Sequence, residues 1–340
     1  MRRRFLVNAT VLLASVTAAL LLAEAALRLS GRFPAAALHS LSSRQWSVVA
    51  GVWEPRQDVL VLDNPALPYR VRTNTLGLRG HEPSAARPAG RILCIGDSLT
   101  FGDFVEDDET LPARIEARLG PAVEVLNGGV GGSTIVDQQA FLRKMLAVRP
   151  DAVLLLYSEN DLRDLLNEVP LHVALARNRA LKGGLLAPLF TAFRDTALFN
   201  LAIRLRGAVR TWEATRPAAT GPGSAYAARF DELLDRYART VVEVRDELAG
   251  RRVAFVFATF PSWHRLARVA QPRETIGPLA RALAARGVEA IDLTPALRAT
   301  GLTENELYLL PHDGHPSARA YAIASEPLAE RLRDVLASRT

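Results

Sequence analysis

The 340 residues are 49% hydrophobic and 23% charged, a balance that fits a globular chain with a sizeable core and excludes a disordered or fibrous one. The formal charge of +6 comes mainly from arginines scattered along the chain, not gathered in a basic stripe interleaved with aromatics. Nucleic acid is therefore not an expected partner, and an anionic membrane surface suits the charge better.

The amino terminus opens Met1-Arg2-Arg3-Arg4 and then runs without charge from Phe5 to Ala23. At about 1.5 Å per helical residue this run crosses most of a bilayer, and arginines before it hold that end in the cytoplasm. Residues 1–32 are thus expected to form a signal anchor, a transmembrane helix that leaves the remainder on the periplasmic or outer face. The competing reading is a signal peptide cut near Ala23-Glu24-Ala25, giving a secreted form; the apolar run is longer than a usual signal core. Residues 33–90 carry Pro34, Pro55, Pro65, Pro68, Pro83 and Pro88 and no strong periodicity. They read as a connector with short extended segments, closed by the turn-rich RTNTLGLRG of 72–80.

From Arg91 onward the pattern changes. RILCI (91–95), AVEVL (122–126), AVLLLY (152–157), VAFVFA (253–258) and VEAI (288–291) are short and apolar along most of their length, as strands covered on both faces are. Between them, 110–119, 137–148 and 230–249 repeat apolar residues at three and four, the helical spacing. Alternation of this kind implies a parallel sheet with right-handed crossovers, and such sheets bind ligands at the carboxyl ends of their strands. Cys94, the single cysteine, lies inside the first of these strands and reads as a small core residue; no disulfide can form within the chain. The stretch at about 164–226 interrupts the rhythm as a helical insertion. It packs on the domain, or it is a lid or membrane-touching helix presenting Phe190, Phe193 and Phe199.

Ser98 in RILCIGDSLTFG follows the first strand directly. Asp97 and Ser98 could simply cap the next helix, or Ser98 could be a nucleophile, which needs a base within hydrogen-bond reach. The base candidates are His39, His81, His172, His264, His312 and His315; His315, in LPHDGHPSARAYAIA, sits in a loop that returns to the sheet edge where Ser98 lies. VLNGGVGGST after the second strand offers glycine N–H groups, and YSENDL after the third offers the Asn160 amide; both could stabilise a developing oxyanion. No histidine and acid cluster has a zinc spacing, so neither metal nor cofactor is implied. The α/β-hydrolase elbow does not fit, because it needs Gly-x-Ser-x-Gly and the chain reads Gly96-Asp97-Ser98-Leu99-Thr100.

Four blocks together, GDSLTFG, NGGVGG, ENDL and DGHPS, closely resemble those of the SGNH (GDSL-type) hydrolases, esterases and lipases, over about residues 72–336. The resemblance implies a flavodoxin-like three-layer α/β/α sandwich with a five-stranded parallel sheet, filling 91–340. It implies Ser98 as nucleophile, His315 as general base and then acid, and an oxyanion hole from the Ser98 N–H, the Gly132 N–H and the Asn160 side chain, with Asp97 bracing its loop. NTLGLRG resembles a segment of membrane-anchored members, so Asn74 and Arg79 are expected to line the pocket, the alternative being a tight turn with a surface arginine. Two positions depart from the pattern: Ser158 stands where the third block usually has glycine, and His312 occupies the usual place of the triad acid, which makes Asp313 the expected acid. The implied activity is ester hydrolysis through an acyl-enzyme on a small-molecule or carbohydrate ester. The alternatives are an O-acyltransferase that passes the acyl group to cell-envelope carbohydrate and a non-catalytic envelope binding module.

Overall fold

The computed structural model describes residues 2–31, 53, 55–61, 64, 66–84, 88–166, 169–173, 196–199, 201–202, 205, 225–269 and 273–338. Helix α1, Arg2–Leu29, contains a stretch, Val7–Leu29, long and apolar enough to cross a membrane, and none of that stretch is buried within the chain. Leu12, Leu13, Leu21 and Leu22 stand exposed along it. Near its end the Glu24 carboxylate pairs with Arg28 and accepts the N–H groups of Ala197 and Leu198, each at 2.9 Å. Most of the insertion expected at 164–226, Phe190 and Phe193 included, lies outside the described residues; Phe199 is half-buried.

Five strands form one parallel sheet: β3 (Gly90–Ile95), β4 (Val123–Asn127), β5 (Ala152–Ser158), β6 (Ala254–Phe260) and β7 (Ala290–Asp292), in the order β4-β3-β5-β6-β7. Side chains alternate between the two faces. Leu93, Ile95, Val153, Leu155 and Tyr157 meet helices α4 (Ile135–Met145), α6 (Phe230–Gly250) and α8 (Ile276–Ala284), while Ile92, Cys94, Leu154 and Leu156 meet α3 (Leu111–Leu119) and α9 (Ala318–Ala337). The result is three layers, helices over both faces of the sheet, as the alternation of strands and helices predicts. Cys94 is buried and unpaired, and burial pushes its thiol well above the ordinary range.

Part of the connector belongs to the packed fold. Strands β1 (Asp58–Val61) and β2 (Tyr69–Arg72) form an antiparallel hairpin whose Val59, Val61, Tyr69 and Val71 are buried in the same core as Leu93 and Tyr157, together with Trp53. Each strand is only four residues long, so the alternation is too brief to stand out from the prolines around it. Beyond β2, Arg79 bridges both Thr73 and Asn127, which ties the turn of 74–78 to the carboxyl end of β4.

Candidate active site

The sheet brings the chemistry-bearing loops to one rim. β3 ends at Ile95, and Asp97 caps the short helix α2 (Ser98–Phe101) by accepting the Leu99 N–H at 2.9 Å, which leaves Ser98 at its first position with its hydroxyl free to turn outward. The Oγ of Ser98 lies 2.9 Å from Nε2 of His315, residues 217 positions apart in the chain. Nδ1 of His315 lies 2.5 Å from Oδ1 of Asp313, and the same oxygen accepts the His315 backbone N–H at 2.9 Å. Ser98, His315 and Asp313 thus form a continuous hydrogen-bonded line.

The protonation pattern follows from the acid. Burial raises the Asp313 carboxyl, but the hydrogen bond and charge of His315 and the N–H groups of His315 and Gly314 outweigh it and hold the pKa below the ordinary carboxylate value. An ionised carboxylate only accepts, so Nδ1 carries the hydrogen and Nε2 is left to accept from the Ser98 hydroxyl. Burial alone pulls His315 down; the Asp313 hydrogen bond and the charges of Asp103, Asp313 and Asp97 overcome it and raise the imidazole above its usual value.

The other histidines are engaged elsewhere or lie outside the described residues, as His39 does. His81 meets Glu116 at 3.0 Å, and that bond, against burial, lifts it to about 9. His172 meets Asp137 at 2.7 Å, and His264 stacks on Trp263 with ring centres 3.6 Å apart. His312 lies in the same loop as His315, its N–H bonded to Leu309 O.

Donors gather on the other side of Ser98. A Cβ added to Gly131 would lie 3.8 Å from the Ser98 Cβ, so the glycine run approaches the serine closely, and Gly132 follows in a left-handed conformation with φ +73°. Gly129 permits this approach, because a Cβ there would fall 2.1 Å from the Phe101 nitrogen. Among the described residues, neither the Ser98 nor the Gly132 N–H has a hydrogen-bond partner. Asn160 leads the one-turn helix α5 (Asp161–Asp164) beyond β5; its Nδ2 donates to Asp164 at 3.0 Å and more weakly to Asp97 at 3.4 Å. Ser158, the departure from glycine, donates its hydroxyl to Asn160 Oδ1 and so orients the amide.

The pocket expectation for Asn74 and Arg79 is corrected. Asn74 is buried and braces its own turn, accepting the Leu76 and Leu78 N–H groups and donating to His81 O. The Arg79 side chain is 1% exposed: Nε meets Asp107 at 2.8 Å, and the two terminal nitrogens donate to the carbonyls of Phe101, Gly102, Arg70 and Val105. Neither lines the cleft beside Ser98; Arg79 instead clamps the loop that follows the serine helix. Arg79→Met strands a carboxylate and four carbonyls, which is expected to cost about 3–5 kcal/mol and to lower the melting midpoint by roughly 10 °C. A thermal-shift difference no larger than about 2 °C contradicts the clamp.

Residues not singled out in the sequence complete the surroundings. Phe104 has φ +68°, a conformation that costs a bulky residue about 1–3 kcal/mol, and its ring meets the His315 imidazole edge-on at 5.3 Å. Tyr69 donates to Asp103 at 2.9 Å, and burial raises the Asp103 carboxyl. Trp263, on the short helix α7 (Trp263–Leu266), lies against Gly314, where an added Cβ would come within 3.4 Å of the indole. A cleft of about 930 Å³ opens from Ser98 and His315 past Asn160 and Trp263.

The profile of the GDSL-like Lipase/Acylhydrolase family matches residues 94–323. Similar solved structures include a lipolytic protein of the G-D-S-L family from Desulfitobacterium hafniense, 12% identical over 71% of this chain and 98% of its own, with a TM-score of 0.41. They also include a catalytic mutant of an acetylxylan esterase from Geobacillus stearothermophilus (16%, 74% and 96%, TM-score 0.41) and the lipase/acylhydrolase from Enterococcus faecalis (14%, 72% and 96%, TM-score 0.42). No curated protein matches in sequence. With more than half of its length matched, the chain belongs to the GDSL-like lipase/acylhydrolase family and is an ester hydrolase.

Proposed function

We propose that the protein is a serine esterase that works through an acyl-enzyme on Ser98. The observation that carries this reading is the hydrogen-bonded line Ser98–His315–Asp313, with the Ser98 N–H unpartnered among the described residues. As Ser98 Oγ attacks the ester carbonyl carbon, Nε2 of His315 takes its proton, and the imidazolium that forms is stabilised by Asp313. The carbonyl oxygen becomes an oxyanion and receives the N–H groups of Ser98 and Gly132 and one hydrogen of Asn160 Nδ2, the one now making the long contact to Asp97. Collapse of this intermediate breaks the ester C–O bond, and His315 gives its proton to the departing alkoxide. Water then repeats the attack on the acyl-enzyme with His315 as base, releasing the carboxylic acid and restoring the serine.

We place the catalytic domain outside the cytoplasm, held to the membrane by α1. The three arginines before the apolar run support this orientation, and the Glu24 contact to Ala197 and Leu198 supports a helix retained in the mature chain, because cleavage near Ala23-Glu24-Ala25 removes or severs it. A fluorophosphonate probe is expected to label the full-length chain in the membrane fraction, and Ser98→Ala is expected to remove the label. Label surviving in Ser98→Ala rejects the nucleophile, and label confined to a shortened soluble chain rejects the anchor. An acylated product appearing on an added oligosaccharide, in place of free acid, would make a carbohydrate hydroxyl the acceptor instead of water.

A further inference from the structure

The cleft beside Ser98 is far larger than a short acyl group needs, and part of its wall has a distinct chemistry. Pocket volumes of about 300–1,000 Å³ hold whole drug-sized molecules, and this one measures about 930 Å³. Its wall is largely apolar, with Trp263, Tyr226, Pro261 and Val269 contributing, and it carries two arginines, Arg163 and Arg273. Glu159, a carboxylate in the same wall, is held by the Ser262 N–H at 3.0 Å and the Ser262 hydroxyl at 3.2 Å.

Neither guanidinium is well neutralised. Arg163 is half exposed and, among the described residues, meets only its chain neighbour Asp164, at 3.4 Å, whose other oxygen is taken by Asn160. Arg273 reaches the Ala227 carbonyl at 3.5 Å and stands 5.1 Å over the Phe230 ring; among the described residues it has no carboxylate partner. The contrast with Arg79, Arg91 and Arg265, each on a carboxylate, is clear. Burial raises the Tyr226 phenol, Arg163 and Arg273 pull it down and the Glu159 carboxylate pushes it up, so both cations and that carboxylate lie within electrostatic reach of this ring. Cations with unused donors beside an apolar wall favour an anion carried on an otherwise uncharged body, and Arg in particular presents a fork suited to carboxylate or phosphate.

We propose that Arg163 and Arg273 form an anion subsite and that the natural substrate is an ester bearing a carboxylate or a phosphate away from the scissile bond. An O-acylated sugar acid and an acylated glycerol phosphate share this chemistry. The proposal rests on the esterase reading of the same cleft, and its test separates the two.

The test compares charged and neutral members of matched pairs with the full-length, detergent-solubilised protein: O-acetyl glucuronic acid against its methyl ester, and acetylglycerol 3-phosphate against acetylglycerol. In at least one pair the charged ester is expected to be favoured by about 10-fold in kcat/KM, which corresponds to about 1.4 kcal/mol, and the preference is expected to shrink as salt rises. The pair that shows it identifies the anion. In Arg163→Met/Arg273→Met, and partly in each single variant, the ratio is expected to fall to within about twofold of unity. Equilibrium binding of the same pairs to the Ser98→Ala protein reads the subsite without turnover. Equal handling in both pairs, or a preference that survives the double variant, overturns the subsite, whereas charge-selective binding with no hydrolysis by the wild type overturns the esterase reading alone.

Discussion

Ser98→Ala is expected to lower kcat/KM toward any hydrolysed ester by about 10⁴-fold or more while leaving the fold intact, and His315→Ala is expected to do nearly the same. The reason lies in the 2.9 Å contact between them: a hydroxyl without a base is a weak nucleophile, and a base without the hydroxyl has no proton to take. The two therefore act as a unit, and the double variant is expected to be no slower than the worse single variant, within about threefold. The helix that carries Ser98 is capped by Asp97, not by the serine, so alanine removes no cap and the melting midpoint should hardly move. Single-turnover kinetics on all three variants check this. Losses that multiply in the double variant, or a Ser98→Ala protein that keeps a tenth of the activity, contradict a shared proton transfer.

The parts of this site that were legible in the sequence are those the sheet itself places. Leu154–Tyr157 is apolar without a break because β5 is covered on both faces, and that run announces both the strand and the loop of Asn160 beyond it. Ser98, the glycines after Asn127, Asn160 and the Asp313–His315 loop all project from one rim, so strand ends located from hydropathy located the residues too. Arg79 shows where such reading stops. Its turn, TNTLG, reads correctly as a turn, but the five acceptors that bury its guanidinium come from Asp107, Arg70 and the loop Phe101–Val105, which converge only in the folded chain. Phe104 and Trp263 are similar cases. No local pattern marks a phenylalanine in the left-handed region or an indole packed on Gly314, since both are fixed by contacts with His315's loop across the domain.

Asp313 has the most to say about how the proton transfer is organised, since it stands two residues before the histidine instead of three. The geometry compensates for the changed spacing: one oxygen, Oδ1, receives both the His315 backbone N–H and Nδ1, so the acid and the base are locked within a single tight turn. Asp313→Asn is expected to lower kcat/KM by about 10²–10⁴-fold, because an amide can offer Nδ1 a hydrogen instead of accepting one and so favours the tautomer whose Nε2 carries the proton and cannot take it from Ser98. The pH profile carries a second, independent sign. Catalysis needs neutral His315, so kcat/KM falls as pH drops through a pKa that Asp313, aided by Asp103 and Asp97, holds above the ordinary histidine value. Removing the Asp313 charge destabilises the imidazolium, lowers that pKa and moves the acid limb of the residual activity toward lower pH; the Asp103 and Asp97 charges remain, so the shift is partial. An acid limb that stays in place, with activity within about threefold of the wild type, means that His315 is oriented by something other than this carboxylate.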